Sequence, residues 1–184
     1  TLVIGQVEGV TALAAVSAAG WLDWMVLGLA MGMAQGFSIL IAQYFGANDV
    51  ARLRRAAGQS ILLSIGIAVL LTAVSEALLW PTLLLLQSPE NTIQLTCDYL
   101  RIIFAGVSFV MAFNLLSGFL RSLGDSRTPL YAMTSAALCN IALDILFVAV
   151  FRWGVFGVAI ATVLSQCLSS VICLLALRKM PIMA

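Results

Sequence analysis

Long apolar segments that recur along the whole chain constrain its fold more than any other feature of the sequence. Six can be placed, at residues 1–20, 24–45, 59–84, 99–121, 129–151 and 154–177. Each is long enough to cross the hydrocarbon core of a bilayer, about 30 Å, at about 1.5 Å per residue of α-helix. Only 9% of the residues are charged, whereas ordinary globular proteins contain about 25%. The sequence therefore predicts an all-α, polytopic helical membrane protein.

The basic residues are distributed unevenly over the connections between these segments. Seven of the nine Lys and Arg residues fall on one side of the predicted membrane: Arg52, Arg54, Arg55, Arg121, Arg127, Arg178 and Lys179. Only Arg101 and Arg152 fall on the other side. Because basic residues accumulate in cytoplasmic connections, we predict that the first segment runs outward and that the chain ends in the cytoplasm. We expect a multi-pass protein of a bacterial-type cytoplasmic membrane, surrounded by lipid.

The composition also excludes several classes of function. The chain contains no histidine, which removes Ser-His-Asp and Cys-His nucleophiles, histidine metal sites and imidazole acid-base chemistry. The net charge of +1 is too small for a surface that neutralises many phosphates, so no nucleic-acid partner is expected. The four cysteines form no CxxC pair, and the three that lie inside apolar segments are interpreted as small packing residues. We predict neither an enzyme nor a bound cofactor.

Asp144 is the residue that points most strongly to a function. It is an isolated carboxylate in an apolar segment, where a charged residue costs about 2.5–3.5 kcal/mol on insertion scales. Asn140 precedes it by one helical turn, so the two side chains share a face. Together they offer oxygen ligands that suit Na⁺ and a protonatable group that suits H⁺. The alternative is an aspartate held by interhelical hydrogen bonds, and no metal site beyond this one is expected.

Other polar residues are scattered through the apolar segments. Thr162 lies among small residues of the sixth segment, which bring its hydroxyl near the fifth; alternatively, it bonds the carbonyl four residues earlier in its own helix. Five further residues could line a polar cavity: Glu8, Gln35, Gln43, Asn114 and Gln166. The four amides among them could equally connect helices through hydrogen bonds worth about 0.6 kcal/mol each.

Gly28, Gly32 and Gly36 form two overlapping GxxxG steps in the second segment. Such a stripe of small residues permits close contact between membrane helices. We interpret it as a packing surface; a gate that slides along the stripe is the alternative.

Four short islands of sequence give the chain a resemblance to a known family. They are Ala12–Val16, Ala42–Ala47 with the arginine-rich stretch after it, Gly118–Pro129 with the pattern GxxRxxGDSRTP, and Asn140 and Asp144 followed by Gly154–Gln166. Their order and spacing resemble the N-terminal half of the multidrug and toxic compound extrusion (MATE) family over essentially the whole chain. No single island is diagnostic, but the ordered set is specific.

The resemblance implies a secondary transporter of twelve helices, arranged as two six-helix lobes around a central cavity. Residues 1–184 would form the N-terminal lobe with a truncated first helix, and the C-terminal lobe of the same polypeptide would be absent from this chain. The family exchanges Na⁺ or H⁺ for small organic, often cationic, compounds by alternating access. Its N-lobe cation site matches Asn140, Asp144 and Thr162, and the aspartate that helix one contributes would fall just before Thr1.

Two alternative functions stay open at this point. Lipid-linked oligosaccharide flippases of the same superfamily share the layout, but they would carry several cationic residues in the cavity. Here the basic residues cluster at the membrane boundaries. A structural or assembly subunit without transport activity would tolerate the loss of the Asp144 carboxylate, although the cost of keeping an unpaired carboxylate in an apolar segment argues against it.

Overall fold

The computed structural model of the protein describes residues 10–85 and 90–181, and nearly all of them are helical. The helices are α1 (Val10–Gly46), α2 (Val50–Leu85), α3 (Glu90–Ala105), α4 (Val107–Ser122), α5 (Arg127–Asp144), a π-helical segment (Ile145–Val150) and α6 (Gly154–Arg178). No β-strand occurs in these described residues. The predicted fold class, an all-α polytopic membrane protein, is confirmed.

Five stretches within the described helices are long and apolar enough to cross a membrane: Trp24–Gly46, Val50–Leu79, Cys97–Ser122, Arg127–Val150 and Gly154–Arg178. They correspond in position to the second to sixth predicted segments. Residues 1–9 of the predicted first segment lie outside the described residues. From Val10 onward the backbone belongs to α1, which continues into the second segment without a break. A separate first membrane span therefore stays a prediction.

Helix α2 begins at Val50, earlier than the third predicted apolar segment, which starts at residue 59. Residues 47–49 make the connection from α1, and Asn48 adopts a positive φ of 56°. The Asp49 carboxylate then accepts the backbone N–H of Arg52 at 3.0 Å, and the Arg52 Nε lies 3.3 Å from the same carboxylate. This cap stabilises the first turn of the helix, so the arginine-rich stretch that was predicted as a connection is helical.

The fourth predicted segment is built from two helices rather than one. The break falls at Gly106, where an added Cβ would lie 2.5 Å from the Val163 side chain of α6. Glycine therefore permits the close approach of α6 at this point. Just before the break, the Thr72 hydroxyl of α2 donates a hydrogen bond to the Phe104 carbonyl at 3.1 Å. Side chains of neighbouring helices commonly support the backbone where a membrane helix is interrupted.

The helices pack around two buried cores, one toward each end of the bundle. The first core includes Ile41, Leu53, Phe119, Leu120, Ala132 and Leu177, next to the helix ends that carry most of the basic residues. The second includes Val26, Ala30, Leu79, Leu100, Phe104 and Met111. Near this second core, Arg101 lies 3.8 Å from Glu76 and 3.9 Å from Asp98. The bundle therefore has one strongly basic end and one end with mixed charges.

Asp125 organises the connection between α4 and α5. The preceding Gly124 has a φ of 92°, a conformation that favours glycine. Asp125 Oδ1 accepts the backbone N–H groups of Arg127 and Thr128, both at 3.0 Å, and the Thr128 hydroxyl donates to Oδ2. The hydroxyl of Thr128, followed by these backbone N–H groups, holds the pKa of the Asp125 carboxyl below its usual range. The charged carboxylate thus caps the start of α5.

Beyond Asp144 the fifth span widens into the π-helical segment. The Phe151 N–H donates to the Leu146 carbonyl at 3.0 Å, five residues earlier in the chain, which is the spacing of a π-helix. The rings of Phe147 and Trp153 stack with their centroids 5.2 Å apart. Gly157 of α6 packs closely here, because an added Cβ would lie 2.8 Å from the Phe147 Cβ. The fifth and sixth spans are therefore in tight contact just past Asp144.

The glycine stripe of α1 does not lie in a helix contact among the described residues. An added Cβ on Gly28, Gly32 or Gly36 would meet nothing within 4 Å. Helix α1 instead buries Ala30 and Ala34, which are fully buried. The predicted packing role of the stripe is not observed in the part of the chain that the structure describes.

Candidate functional site

A polar cavity of about 620 Å³ lies between α1, α4, α5 and α6. Five of the residues predicted as functional line it: Gln35, Asn114, Asn140, Thr162 and Gln166. These residues are spread over four helices and more than 130 positions of sequence. The fold therefore gathers into one cavity most of the amide side chains that the sequence scatters through the apolar segments.

The cavity faces of α4 and α6 follow the helical period. On α4 the lining residues are Val110, Phe113, Asn114, Ser117 and Arg121, and on α6 they are Thr162, Ser165, Gln166 and Ser169. Steps of three and four residues place side chains on one face of a helix. Each helix thus presents a single polar stripe to the cavity.

Asp144 is the last residue of α5, one helical turn beyond Asn140, and is not among the residues that line the cavity. Its side chain is partly buried. The Oδ1 atom is fully buried and has no hydrogen-bond partner among the described residues. The structure therefore does not show the interhelical hydrogen bond to Oδ1 that would explain this carboxylate as a packing residue.

The Thr162 hydroxyl lines the cavity and donates a hydrogen bond to the Val158 carbonyl at 2.9 Å. This is the bond within its own helix that the sequence leaves open as an alternative. A hydroxyl that donates its proton still has lone pairs to offer. Thr162 can therefore act as an oxygen ligand or as a hydrogen-bond acceptor, but not as a free donor in this arrangement.

The two cavity amides of α4 and α6 differ in their hydrogen bonding. Asn114 is anchored, because its Nδ2 donates to the Val110 carbonyl at 2.8 Å. The Gln166 Oε1 atom, in contrast, is buried without a hydrogen-bond partner in the described part of the chain. Two acceptor oxygens at this site, those of Asp144 and Gln166, are thus left without a donor.

Two of the predicted cavity residues are not placed in the cavity. Gln43 is exposed near the end of α1 and does not belong to the lining. Its position, three residues before the end of the helix, puts it beyond the reach of the cavity stripe. Glu8 lies outside the described residues, so its role stays a prediction.

Arg121 is the lining residue that the sequence does not reveal. It reads as a boundary residue at the basic end, yet its guanidinium donates to the Ser117 hydroxyl at 3.1 Å and borders the cavity. The spacing of Asn114, Ser117 and Arg121 along one helical face is the signal that could have found it. Arg121 is the only charged residue among the described residues that line this cavity.

A second and smaller cavity, of about 270 Å³, lies between α2, α4 and α6. Its lining is apolar except for two serines: Ile61, Ser64, Ile65, Ala68, Val69, Ser108, Met111, Ala112, Leu115, Leu116 and Leu174. The Ser64 hydroxyl is buried and has no hydrogen-bond partner among the described residues. Helix α4 therefore carries a polar stripe on one side and an apolar one on the other, and α6 contributes Leu174 to the apolar cavity.

The oxygen atoms that could act as ligands at the polar site suit a monovalent cation. No group of three or more Asp, Glu, Cys or His side chains that could hold a metal ion occurs in residues 10–85 and 90–181. One carboxylate with amide and hydroxyl oxygens is instead a hard oxygen set of low charge. It can balance the single charge of Na⁺, or the carboxylate can take up a proton.

The fold and this site together define a class of protein: a multi-pass helical membrane protein with a polar cavity between its helices and, one helical turn from the lining, an aspartate whose buried Oδ1 has no hydrogen-bond partner among the described residues. The MatE family model matches residues 1–146 of the chain. The protein belongs to this family of MATE transporters, as its sequence islands predict.

Relatives and solved structures match over nearly the whole chain. The probable multidrug resistance protein YoeA of Bacillus subtilis (strain 168) is 32% identical over 182 residues, which are 97% of this chain and 39% of YoeA. The probable multidrug resistance protein YpnP of the same organism is 34% identical over 166 residues, which are 90% of this chain and 37% of YpnP. A solved inward-facing multidrug resistance MATE family transporter superposes with a TM-score of 0.89 at 27% identity, covering 97% of this chain and 41% of that one.

The chain spans about two fifths of the length of the curated relatives it matches. Their names are those of multidrug resistance proteins. The prediction of membership in a family of membrane transporters, rather than in a family of enzymes, is therefore confirmed.

Proposed function

We propose that this chain is the N-terminal lobe of a MATE-type exporter that couples the outward movement of small organic compounds to the inward movement of Na⁺ or H⁺. Asp144 is the carboxylate that binds the coupling cation, and Asn140 and Thr162 supply further oxygen atoms. The observation that carries the proposal is the buried Asp144 Oδ1, which has no hydrogen-bond partner in the described residues and belongs to a residue one helical turn from Asn140 on the cavity lining.

An unpaired carboxylate inside a membrane span is costly unless something neutralises it. Ionised carboxylates in such positions pair with a cation, face water or become protonated. The described residues offer Asp144 Oδ1 no donor, so a cation or a proton is the partner that this site lacks. Binding of that partner removes most of the cost, which gives the lobe two states of different energy and a means of coupling.

The polar cavity is the half-site for the transported compound. Apolar lining residues such as Met31, Phe113 and Met133 alternate with the amides and hydroxyls, a mixture that accepts many drug-like molecules. Arg121 is the only charged lining residue in the described chain. A cationic compound therefore finds its opposite charge in Asp144 or in the C-terminal lobe, which lies outside this chain.

The proposal includes alternating access by movement of this lobe against the C-terminal lobe. Relatives that match the chain are named multidrug resistance proteins, and one similar MATE transporter is described in an inward-facing conformation. We place the protein in a bacterial cytoplasmic membrane with the basic end of the bundle in the cytoplasm, because seven of its nine Lys and Arg residues lie at that end.

The cavity lining argues against a flippase for lipid-linked oligosaccharides. Recognition of a pyrophosphate calls for several cationic groups, and the described lining contains Arg121 alone. A structural subunit without transport is distinguished by the experiment below, since it predicts that the Asp144 carboxylate can be replaced without loss.

The test is the substitution Asp144→Asn in the full-length protein, reconstituted in proteoliposomes with a Na⁺ or a H⁺ gradient. We expect gradient-driven dye efflux to fall to background while membrane insertion and thermal unfolding stay as in the wild type. The matched control is Asp98→Asn, at the opposite end of the bundle from the basic residues, where the carboxylate lies 3.9 Å from Arg101. Normal gradient-driven efflux in Asp144→Asn would disprove the coupling role.

A further inference from the structure

We propose that the Gln166 carboxamide is a second contact for the coupling cation, an oxygen ligand that the ion meets between the polar cavity and Asp144. This inference rests on the proposed function and adds to it a residue and a route. Gln166 would not hold the ion at rest; it would replace part of the water shell as the ion approaches or leaves the carboxylate.

The first observation is the state of the Gln166 side chain. Three buried side-chain atoms have no hydrogen-bond partner in the described residues: Ser64 Oγ, Asp144 Oδ1 and Gln166 Oε1. Leaving a buried acceptor unpaired is destabilising, because the desolvation of that atom is not compensated by a hydrogen bond. Two of the three belong to neighbouring spans around the same site, so the fold maintains two unpaired oxygens where a cation is proposed to pass.

The second observation is the register of α5 against α6. Gly157 packs against Phe147, with 2.8 Å between an added Cβ and the Phe147 Cβ, and the two spans run in opposite directions. Counted from this contact, Asp144 is three residues along the fifth span and Asn140 seven, whereas on α6 Thr162 is five residues along and Gln166 nine.

Because the two spans run in opposite directions, the oxygen-bearing residues alternate between them along the bundle axis. Counted in residues from the Gly157–Phe147 contact, Asp144 is followed by Thr162, Asn140 and Gln166 in steps of two residues. Of these residues, Gln166 is the farthest from the Asp144 carboxylate along the axis. It therefore lies toward the basic end of the bundle, which the charge distribution assigns to the cytoplasm.

This series of residues leads from the Asp144 carboxylate along the lining of the cavity. Ser165 and Ser169 line the cavity on either side of Gln166, and their hydroxyls donate to carbonyls of their own helix, for example Ser169 to Gln166 at 2.9 Å. Gln166 Oε1 is the one acceptor among the buried lining atoms that no described donor satisfies. It is thus the group most free to bind an incoming cation.

An amide oxygen suits a transient contact better than a carboxylate does. It is a hard ligand with a partial charge, so it can replace a water molecule of the hydration shell without trapping the ion. A second carboxylate at this level would compete with Asp144 for the same cation. The neutral side chain lets the ion move on to the site that carries the full charge.

The experiment measures the dependence of dye efflux on Na⁺ concentration and on pH in proteoliposomes that contain the full-length protein. The test variant is Gln166→Met, which keeps the length and volume of the side chain and removes the oxygen. The control is Gln43→Met, which makes the same change on an exposed residue outside the cavity. We expect Gln166→Met to raise the concentration of the coupling cation at half-maximal efflux about 5-fold, the effect of losing one net polar contact. Gln43→Met leaves it unchanged.

A second variant and the Asp144 test separate the remaining outcomes. Gln166→Asn keeps an amide and should give a smaller increase, which supports the inference even if Gln166→Met is poorly inserted. If Asp144→Asn abolishes coupling but both Gln166 variants keep the wild-type ion dependence, the inference is wrong and the proposed function stands. An unchanged ion dependence with a raised KM for the dye would assign Gln166 to the transported compound and overturn the inference as well. If Asp144→Asn still couples, both proposals fail.

Discussion

The two cavities described above lie on opposite sides of one helix, α4. The larger one, of about 620 Å³, receives the polar stripe that includes Asn114 and Ser117. The smaller one, of about 270 Å³, receives Met111, Leu115 and their apolar neighbours. Hydrophobicity averaged over the helix hides this difference, because α4 belongs to Cys97–Ser122, a stretch apolar enough to span a membrane.

The difference shows how a lobe of this composition can combine a stable bundle with a polar route. The apolar side packs against α2 and supplies buried contacts to both cores, since Met111 belongs to one and Leu115 to the other. The polar side of α4 presents Asn114, Ser117 and Arg121 to the larger cavity instead. We therefore expect substitutions on the two faces of α4 to have different consequences for stability and for the proposed transport.

The largest expected loss of stability comes from placing a polar residue on the apolar face of α4, and it is compared with an apolar residue on the polar face. Leu115 is 3% exposed, so Leu115→Asn loses apolar burial and places an unpaired amide in a core. We expect a loss of about 3–5 kcal/mol in the free energy of unfolding. Asn114→Leu removes one hydrogen bond within its own helix and should lower efflux with a loss of stability of at most about 1 kcal/mol. Thermal unfolding of the detergent-solubilised protein and efflux in proteoliposomes measure the two quantities.

Similar losses of stability in Leu115→Asn and Asn114→Leu would contradict the division between the two faces. So would a Leu115→Asn protein that unfolds like the wild type, since the apolar side of α4 would then not supply the packing assigned to it.

We expect an intermediate loss of stability from a change at the contact between Gly157 of α6 and Phe147 of the fifth span. Gly157→Ala places a Cβ 2.8 Å from the Phe147 Cβ and 3.2 Å from its backbone carbon, which forces α6 away from the fifth span and costs about 1–3 kcal/mol. The displacement also separates Thr162 from Asp144, so ion-coupled efflux should fall with stability. The matched control is Gly28→Ala, where the new Cβ meets nothing within 4 Å.

In the control, alanine should leave stability unchanged or raise it by up to about 1 kcal/mol, the difference in helix propensity. Thermal unfolding of both variants measures this contrast. Equal behaviour of the two variants would show that the Gly157 contact does not position α6.

The smallest expected effect concerns the cap at the basic end of the polar cavity, next to the lining residue Ser126. Asp125→Ala removes the acceptor of the Arg127 and Thr128 N–H groups and should cost about 1 kcal/mol of stability. The pKa of the Asp125 carboxyl is lowered in the folded protein, first by the Thr128 hydroxyl. Its pH-dependent contribution is therefore complete above the usual aspartate pKa of about 3.9 and is lost as pH falls through the lower folded value.

Thermal unfolding between pH 8 and pH 3 measures this effect. The difference between the wild type and Asp125→Ala should be constant near neutral pH and shrink only in the acid range. Asp125→Asn retains an uncharged acceptor and should show no such acid dependence relative to Asp125→Ala. A difference that shrinks around pH 6 would assign the effect to another group.

Much of the fold could be predicted from the sequence because membrane crossing imposes a length and a polarity. The second to sixth apolar segments match the described spans in order and position. Their ends could not be predicted equally well, since hydrophobicity measures the apolar part of a helix and not its cap. Asp49 starts α2 at Val50, well before the apolar part begins, and the break at Gly106 depends on Val163, which is distant in sequence.

The residues of the candidate site could be predicted from the sequence better than their arrangement in space. Asn140, Thr162 and Gln166 stand out because polar side chains are rare in these segments, and the structure places all three on the cavity lining. Gln43 stands out for the same reason and is exposed instead, because its direction depends on how α1 packs. Arg121 was missed, since an arginine at a helix end can extend toward lipid headgroups or turn inward. The π-helical segment after Asp144 has no signal in its apolar sequence.

The unpaired Asp144 carboxylate also gives the proposed exchange a dependence on the membrane voltage. The ionised empty site carries one negative charge within the span, whereas the site with Na⁺ or a proton is neutral. A charge that crosses 100 mV changes its energy by about 2.3 kcal/mol, so the voltage acts on the empty lobe and hardly on the loaded one. In a cell with a negative interior, the empty site is driven toward the outer side. In an exporter this is the half-cycle that carries the compound out, so for an uncharged compound the electrical potential adds to the ion gradient as a source of energy. A compound with one positive charge cancels the charge of the empty site, and the exchange is then independent of the voltage.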